Sequence, residues 1–179
     1  MRFLDTHALK YFLGFAIVFA VRLLPFRPPN VEPVLATAMP FAKHFGAWGG
    51  FLFGSLSIVL FDAVTSGWGV WTLITALAYG VLGAGAYFFF RTRESTTRNY
   101  VIFALFGTLF YDAVTGLTIG PLVWGQSFMV ALVGQIPFTL MHLAGNITFA
   151  AVFSPAIYRW VVVNPRFLLS WIAPTGALK

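Results

Sequence analysis

The sequence predicts an all-α, polytopic membrane protein: one domain over residues 1–179, built as a six-helix transmembrane bundle with both termini cytoplasmic. Three observations predict it. The chain is 59% hydrophobic and 9% charged, with a mean hydropathy of +0.85, whereas soluble domains carry about 25% charged residues. Its apolar runs are long and are interrupted by short stretches rich in Pro, Gly or Arg. Its basic residues fall mostly in alternate interruptions, the pattern of a topology signal.

The first span covers about 8–25 and ends at Pro25. Arg2 and Lys10 before an apolar run resemble a signal peptide, but Arg22 follows with no small-residue cleavage pattern, so a retained helix is expected. The stretch from Arg27 to Pro33 contains Pro28, Pro29 and Pro33 and cannot be helical, because proline removes donors and restricts its neighbours. The second span, 33–45, is short and carries Pro40. The third, 46–64, opens Gly-rich, and the fourth covers 69–90. Arg91, Arg93, Glu94 and Arg98 lie in the most polar linker, before a fifth span at 99–115. Leu117 to Val163 is too long for one crossing of roughly 30 Å of hydrocarbon. Gly134 and Pro137 predict a break, with a short outer or re-entrant segment at 127–135, a sixth span at 136–160 and a bend near Pro155.

With six spans, Arg2, Lys10, Lys43, Arg91, Arg93, Arg98, Arg159, Arg166 and Lys179 share one side, and Arg22 and Arg27 the other. The positive-inside rule makes the first side cytoplasmic. The net charge of +6 is therefore a topology signal rather than a nucleic-acid stripe. The absence of cysteine excludes disulfides, thiolate metal sites and cysteine nucleophiles. Histidines at 7, 44 and 142 lack metal-site spacing, and no metal or cofactor is expected. No phosphate-binding loop, Gly-x-Ser-x-Gly or His-Glu-x-x-His motif occurs. The chain is not expected to be an enzyme, and ATP-driven transport would need another chain to hydrolyse the nucleotide.

The most informative motif is a repeat. Phe61-Asp62-Ala63-Val64-Thr65 recurs as Tyr111-Asp112-Ala113-Val114-Thr115, each copy after a long apolar run and before a Gly and a Trp. The chain holds five acids, and two occupy these matched positions; a carboxylate in hydrocarbon costs about 2.5–3.5 kcal/mol on the lenient scale. Read as ends of parallel helices, both Asp oppose their helix macrodipoles and do not cap them. Pairing with Arg22 or Arg27 and direct contact with a ligand are both open, and Glu32 faces the same choice. Asn30, Glu32, Asp62, Asp112, Trp68, Trp71 and Trp124 are expected to converge at an outer mouth. The tryptophans could form an interfacial belt or stack on a flat ligand. His142 and Asn146, four apart on one helix face, are interhelical glue or pocket lining, Asn146 being the preferred ligand contact.

Small residues recur at four-residue spacing: Ala16 and Ala20; Gly46, Gly50 and Gly54; Ala76, Gly80 and Ala84. Such faces allow close helix approach, inside the bundle for the last two sets, and inside it or against a partner subunit for Ala16 and Ala20.

Taken together, the organisation resembles the substrate-binding S components of energy-coupling factor (ECF) vitamin transporters. The resemblance is carried by the length, the expected six helices, Ala16-Ile-Val-Phe-Ala20, the Gly-rich third helix ending at Asp62, and the closing stretch from Ile136-Pro137-Phe138 through Asn146 to Ser154-Pro155 and Tyr158-Arg159. It implies a subunit of a prokaryotic cell membrane that captures a vitamin or related micronutrient from outside. A membrane T component and two ATPase subunits would complete the importer, with Ala16 and Ala20 at the T-component contact. The loop 27–33 and the ends of the third and fifth spans would line the ligand site. A stand-alone channel or facilitator, or a structural subunit of a membrane complex, is the alternative.

Overall fold

A computed structural model describes residues 6–25, 32–165 and 167. Among these the chain is all-helical: α1 (Thr6–Arg22), α2 (Val34–Val64), α3 (Val70–Phe90), α4 (Thr97–Trp124), α5 (Phe128–Ala156) and a closing π-helical turn, Ile157–Val162. Four segments are long and apolar enough to cross a membrane: Val34–Val64, Val70–Phe90, Thr97–Trp124 and Phe128–Val162. Large apolar side chains such as Phe12, Leu73, Phe106, Ile136 and Val152 cover the outside. A water-facing surface does not tolerate apolar patches on that scale; this is a membrane bundle.

Six separate helices are expected from the sequence; among the described residues five α-helices are present. The second and third spans form one element, α2, turned at a single residue. Gly46 has φ 84° and ψ 178°, a region reserved for glycine. A straight helix would hold Phe41 and Phe53 about 18 Å apart, yet their ring centroids lie 5.2 Å from each other. The element is thus folded back on itself, with no loop between its legs. Residues 33–42 of the first leg are buried throughout.

The second correction concerns the long C-terminal region. Neither a re-entrant segment at 127–135 nor a break at Pro137 exists; α4 runs on through Pro121 to Trp124, and α5 is continuous from Phe128 through Pro137. The turn falls earlier. Gly125 takes a left-handed conformation (φ 64°) after α4, and the Ser127 hydroxyl accepts the Val130 N–H at the start of α5, a Gly stop followed by a Ser cap. Pro155, where a bend is expected, lies inside α5, and a π-helical turn follows it.

The second leg of α2 packs on α3 through glycine. A Cβ added at Gly50 or Gly83 would strike the backbone of the other, and one at Gly54 would strike Tyr79. Backbone meets backbone there, as small-residue spacing allows; Gly50 and Gly54 pack internally, and so does Gly80, against Ser55 and Phe51, whereas a Cβ at Gly46 would meet open space. α1 lies at the edge. Lys10, Gly14, Val18 and Arg22 recur every fourth residue on its buried face, and Gly14 makes room for the Phe41 ring. Each end of this stripe is a cation tied to carbonyls. Lys10 Nζ donates to Val162 O (3.2 Å) and Asn164 O (2.6 Å), and Arg22 donates to Ser57 O (2.6 Å). Lys10 thereby satisfies carbonyls left open at the end of the last helix.

Two ends of the bundle follow from these contacts. At one, Lys10 meets residues 162–164, His7 meets His44 (3.0 Å), and Lys43 bonds Arg93 O (2.8 Å) and Ser95 Oγ (3.0 Å). Arg22, Glu32, Asp62, Trp71 and Trp124 gather at the other.

Candidate functional site

The two copies of the repeat keep one local bond and diverge in everything else. Thr65 Oγ1 donates to Phe61 O (2.7 Å) and Thr115 Oγ1 to Tyr111 O (2.9 Å), the same back-bond four residues up the helix. Asp62 lies where expected, at the end of α2. Its Oδ2 accepts the Thr72 hydroxyl (2.6 Å), which in turn accepts the Gly69 N–H (3.1 Å). The carboxylate thus serves the N-terminus of α3, where negative charge is favoured, rather than its own helix. Asp112 does not end a helix, because α4 continues to Trp124. It is 1% exposed and points to α5, where its Oδ1 lies 2.7 Å from His142 Nδ1.

One turn further along, Asn146 Nδ2 donates to Thr108 Oγ1 (2.9 Å). Residues 108 and 112 on α4 therefore face 146 and 142 on α5, giving two rungs of a buried polar ladder. Among the described residues Asp112 Oδ2 and Asn146 Oδ1 find no hydrogen-bond partner, and both are sealed from solvent. Tyr111 packs edge-on to His142 (5.6 Å) and against Tyr79 (4.4 Å).

Arg22 is the structural partner at that end. Its Nε lies 3.4 Å from Glu32 Oε2, and its guanidinium sits over the Phe61 ring at 4.1 Å. Glu32 is thus paired with Arg22, while Asp62 bonds Thr72. Trp71 and Trp124 stack on each other at 6.2 Å and 18°. Trp68 is 70% exposed, its indole N–H donating to Val59 O (2.9 Å). Asn30 lies outside the described residues. Ala16 and Ala20 are exposed on α1, beside Phe12 and Ile17.

Sequence reasoning missed Thr72, Tyr79, Thr108 and the ring of Tyr111. Thr108 was findable: it precedes Asp112 by four, as His142 precedes Asn146, so both helices carry a polar pair at one-turn spacing. Beside the seam, on the apolar outer face of the bundle, α4 and α5 border an open groove of about 330 Å³ lined by Leu109, Asp112, Leu117, Gln135, Ile136 and Thr139, among others.

Fold and site together define an all-helical, membrane-embedded bundle with a sealed polar seam. The sequence matches no protein-family model, and no curated protein is detectably similar to it.

Proposed function

We propose that the chain is the membrane-embedded substrate-binding subunit of an ATP-driven importer of the ECF type, capturing a vitamin or related small micronutrient from outside. The observation that carries this reading is the pair of sealed acceptors, Asp112 Oδ2 and Asn146 Oδ1, without a partner among the described residues. A buried acceptor left unmade costs about 1–3 kcal/mol, more when charged. Two such acceptors lie on adjacent rungs of the seam, and a ligand that donates to them removes the cost.

Three further features support the reading. No nucleotide-binding loop is present, which suits a subunit served by separate ATPases. The exposed Ala16 and Ala20 offer a small-residue face to a membrane T component. The basic residues Lys10, Lys43, Arg91, Arg93, Arg98 and Arg159 belong to the end opposite Arg22, so that end and both termini are cytoplasmic in this proposal. In this orientation the Arg22 end faces outward across a prokaryotic cell membrane.

The test is purification in mild detergent followed by mass spectrometry of released small molecules, with uptake measured in cells with and without the T component and ATPases. A retained solute whose uptake needs those partners is the expected result. Flux through the chain alone would make it a facilitator instead, and no retained or transported solute would remove the binding role.

A further inference from the structure

We infer that the α4–α5 seam binds an amphipathic organic cation, its N–H donors on Asp112 Oδ2 and Asn146 Oδ1 and its apolar body in the adjoining groove. The inference rests on the capture reading above and names the substrate class for that site.

Charge is the first argument. Among the described residues Asp112 meets His142 through one carboxylate oxygen and leaves the other open. A buried carboxylate with an open oxygen is costly inside a membrane bundle; an anionic ligand would add to that cost, and a monocation offsets it.

The open atoms are the second argument. Both are oxygens that accept, on adjacent rungs of one ladder. Their partner must donate, and an ammonium or amidinium donates more than one hydrogen while carrying the compensating charge. A bare metal ion is disfavoured by the donor set: among the described residues no three His, Asp or Glu side chains are grouped to hold one.

Shape is the third. Asp112 borders the groove of about 330 Å³, within the range of small-molecule pockets. Leu109, Leu117, Ile136 and Leu140 make its walls apolar, and Gln135 and Thr139 add polar edges, joined by a 3.3 Å hydrogen bond. An apolar body fits there while its charged group meets the acid.

The test uses the full chain in phosphatidylcholine nanodiscs, titrated with phenethylammonium and, as isosteres, neutral phenethyl alcohol and anionic phenylacetate. Charge-assisted bonding should make the amine bind about tenfold tighter than the alcohol, with phenylacetate weakest. Asp112→Asn should erase that preference. Ala113→Phe blocks the groove without touching the Asp112–His142 pair and should weaken the amine about tenfold; it locates the site even if Asp112→Asn fails to fold. Equal binding of amine and alcohol, no response to the amine, or an unchanged amine affinity in Ala113→Phe would overturn the inference. A neutral or anionic solute retained from cells would overturn the cation assignment alone and leave the capture reading standing.

Discussion

Asp112 and His142, thirty residues apart in the chain, meet at 2.7 Å with both side chains almost fully sealed. The contact locks α4 to α5 at mid-helix, and it leaves the second carboxylate oxygen free for another donor.

Removing one partner should therefore be worse than removing both. His142→Ala strands a buried carboxylate and should cost about 3–5 kcal/mol. Asp112→Asn with His142→Ala should cost no more than His142→Ala alone, because the two act as one unit. Denaturant unfolding in micelles measures this; strict additivity would show that the residues do not interact.

The α2–α3 crossing gives a contrast within one residue type. Gly83→Val would drive a side chain into the Gly50 backbone and should destabilise by about 3 kcal/mol or abolish folding. Gly134→Ala meets open space on α5 and should be neutral or stabilising by up to about 1 kcal/mol. Thermal unfolding of the two variants side by side is the check.

How much of this was legible without coordinates varies by element. The expected span 69–90 differs from α3 by one residue at its start, because Gly69 and Arg91 bracket an unbroken apolar run. The C-terminal half was misread because Pro137 was given more weight than Gly125 and Ser127. Proline in a long membrane helix is tolerated when neighbouring groups take up the freed carbonyl, whereas a left-handed Gly followed by a Ser cap ends and restarts a helix. That error also moved Asp112 to a helix end, hiding its pairing with His142. The Asp62–Thr72 bond was out of reach, since it depends on how α3 docks against α2.

Orientation is testable because the chain contains no cysteine. Arg93→Cys and Ser66→Cys place exposed thiols at opposite ends of the bundle. In intact cells an impermeant maleimide should label position 66 and spare 93. The reverse pattern would invert the bundle in the membrane.

Ala16 and Ala20 provide a separate test of partner docking. Because both are exposed, Ala16→Trp with Ala20→Trp should leave the isolated protein folded and able to bind. Uptake with T component and ATPases should fall to background. Equal loss of binding and uptake would assign the face to the subunit's own packing.

The turn at Gly46 has a consequence for how the chain enters a membrane. Its first leg, 34–45, is twelve residues, about 18 Å of helix, too short to span roughly 30 Å of hydrocarbon. Residues 33–42 are also walled in by protein on every side. Such a segment is not a stable passenger on its own. It should partition only as a hairpin with 47–64, and be clasped afterwards by α1, α3 and α5, so a nascent chain arrested after residue 45 should remain extractable until the second leg is made.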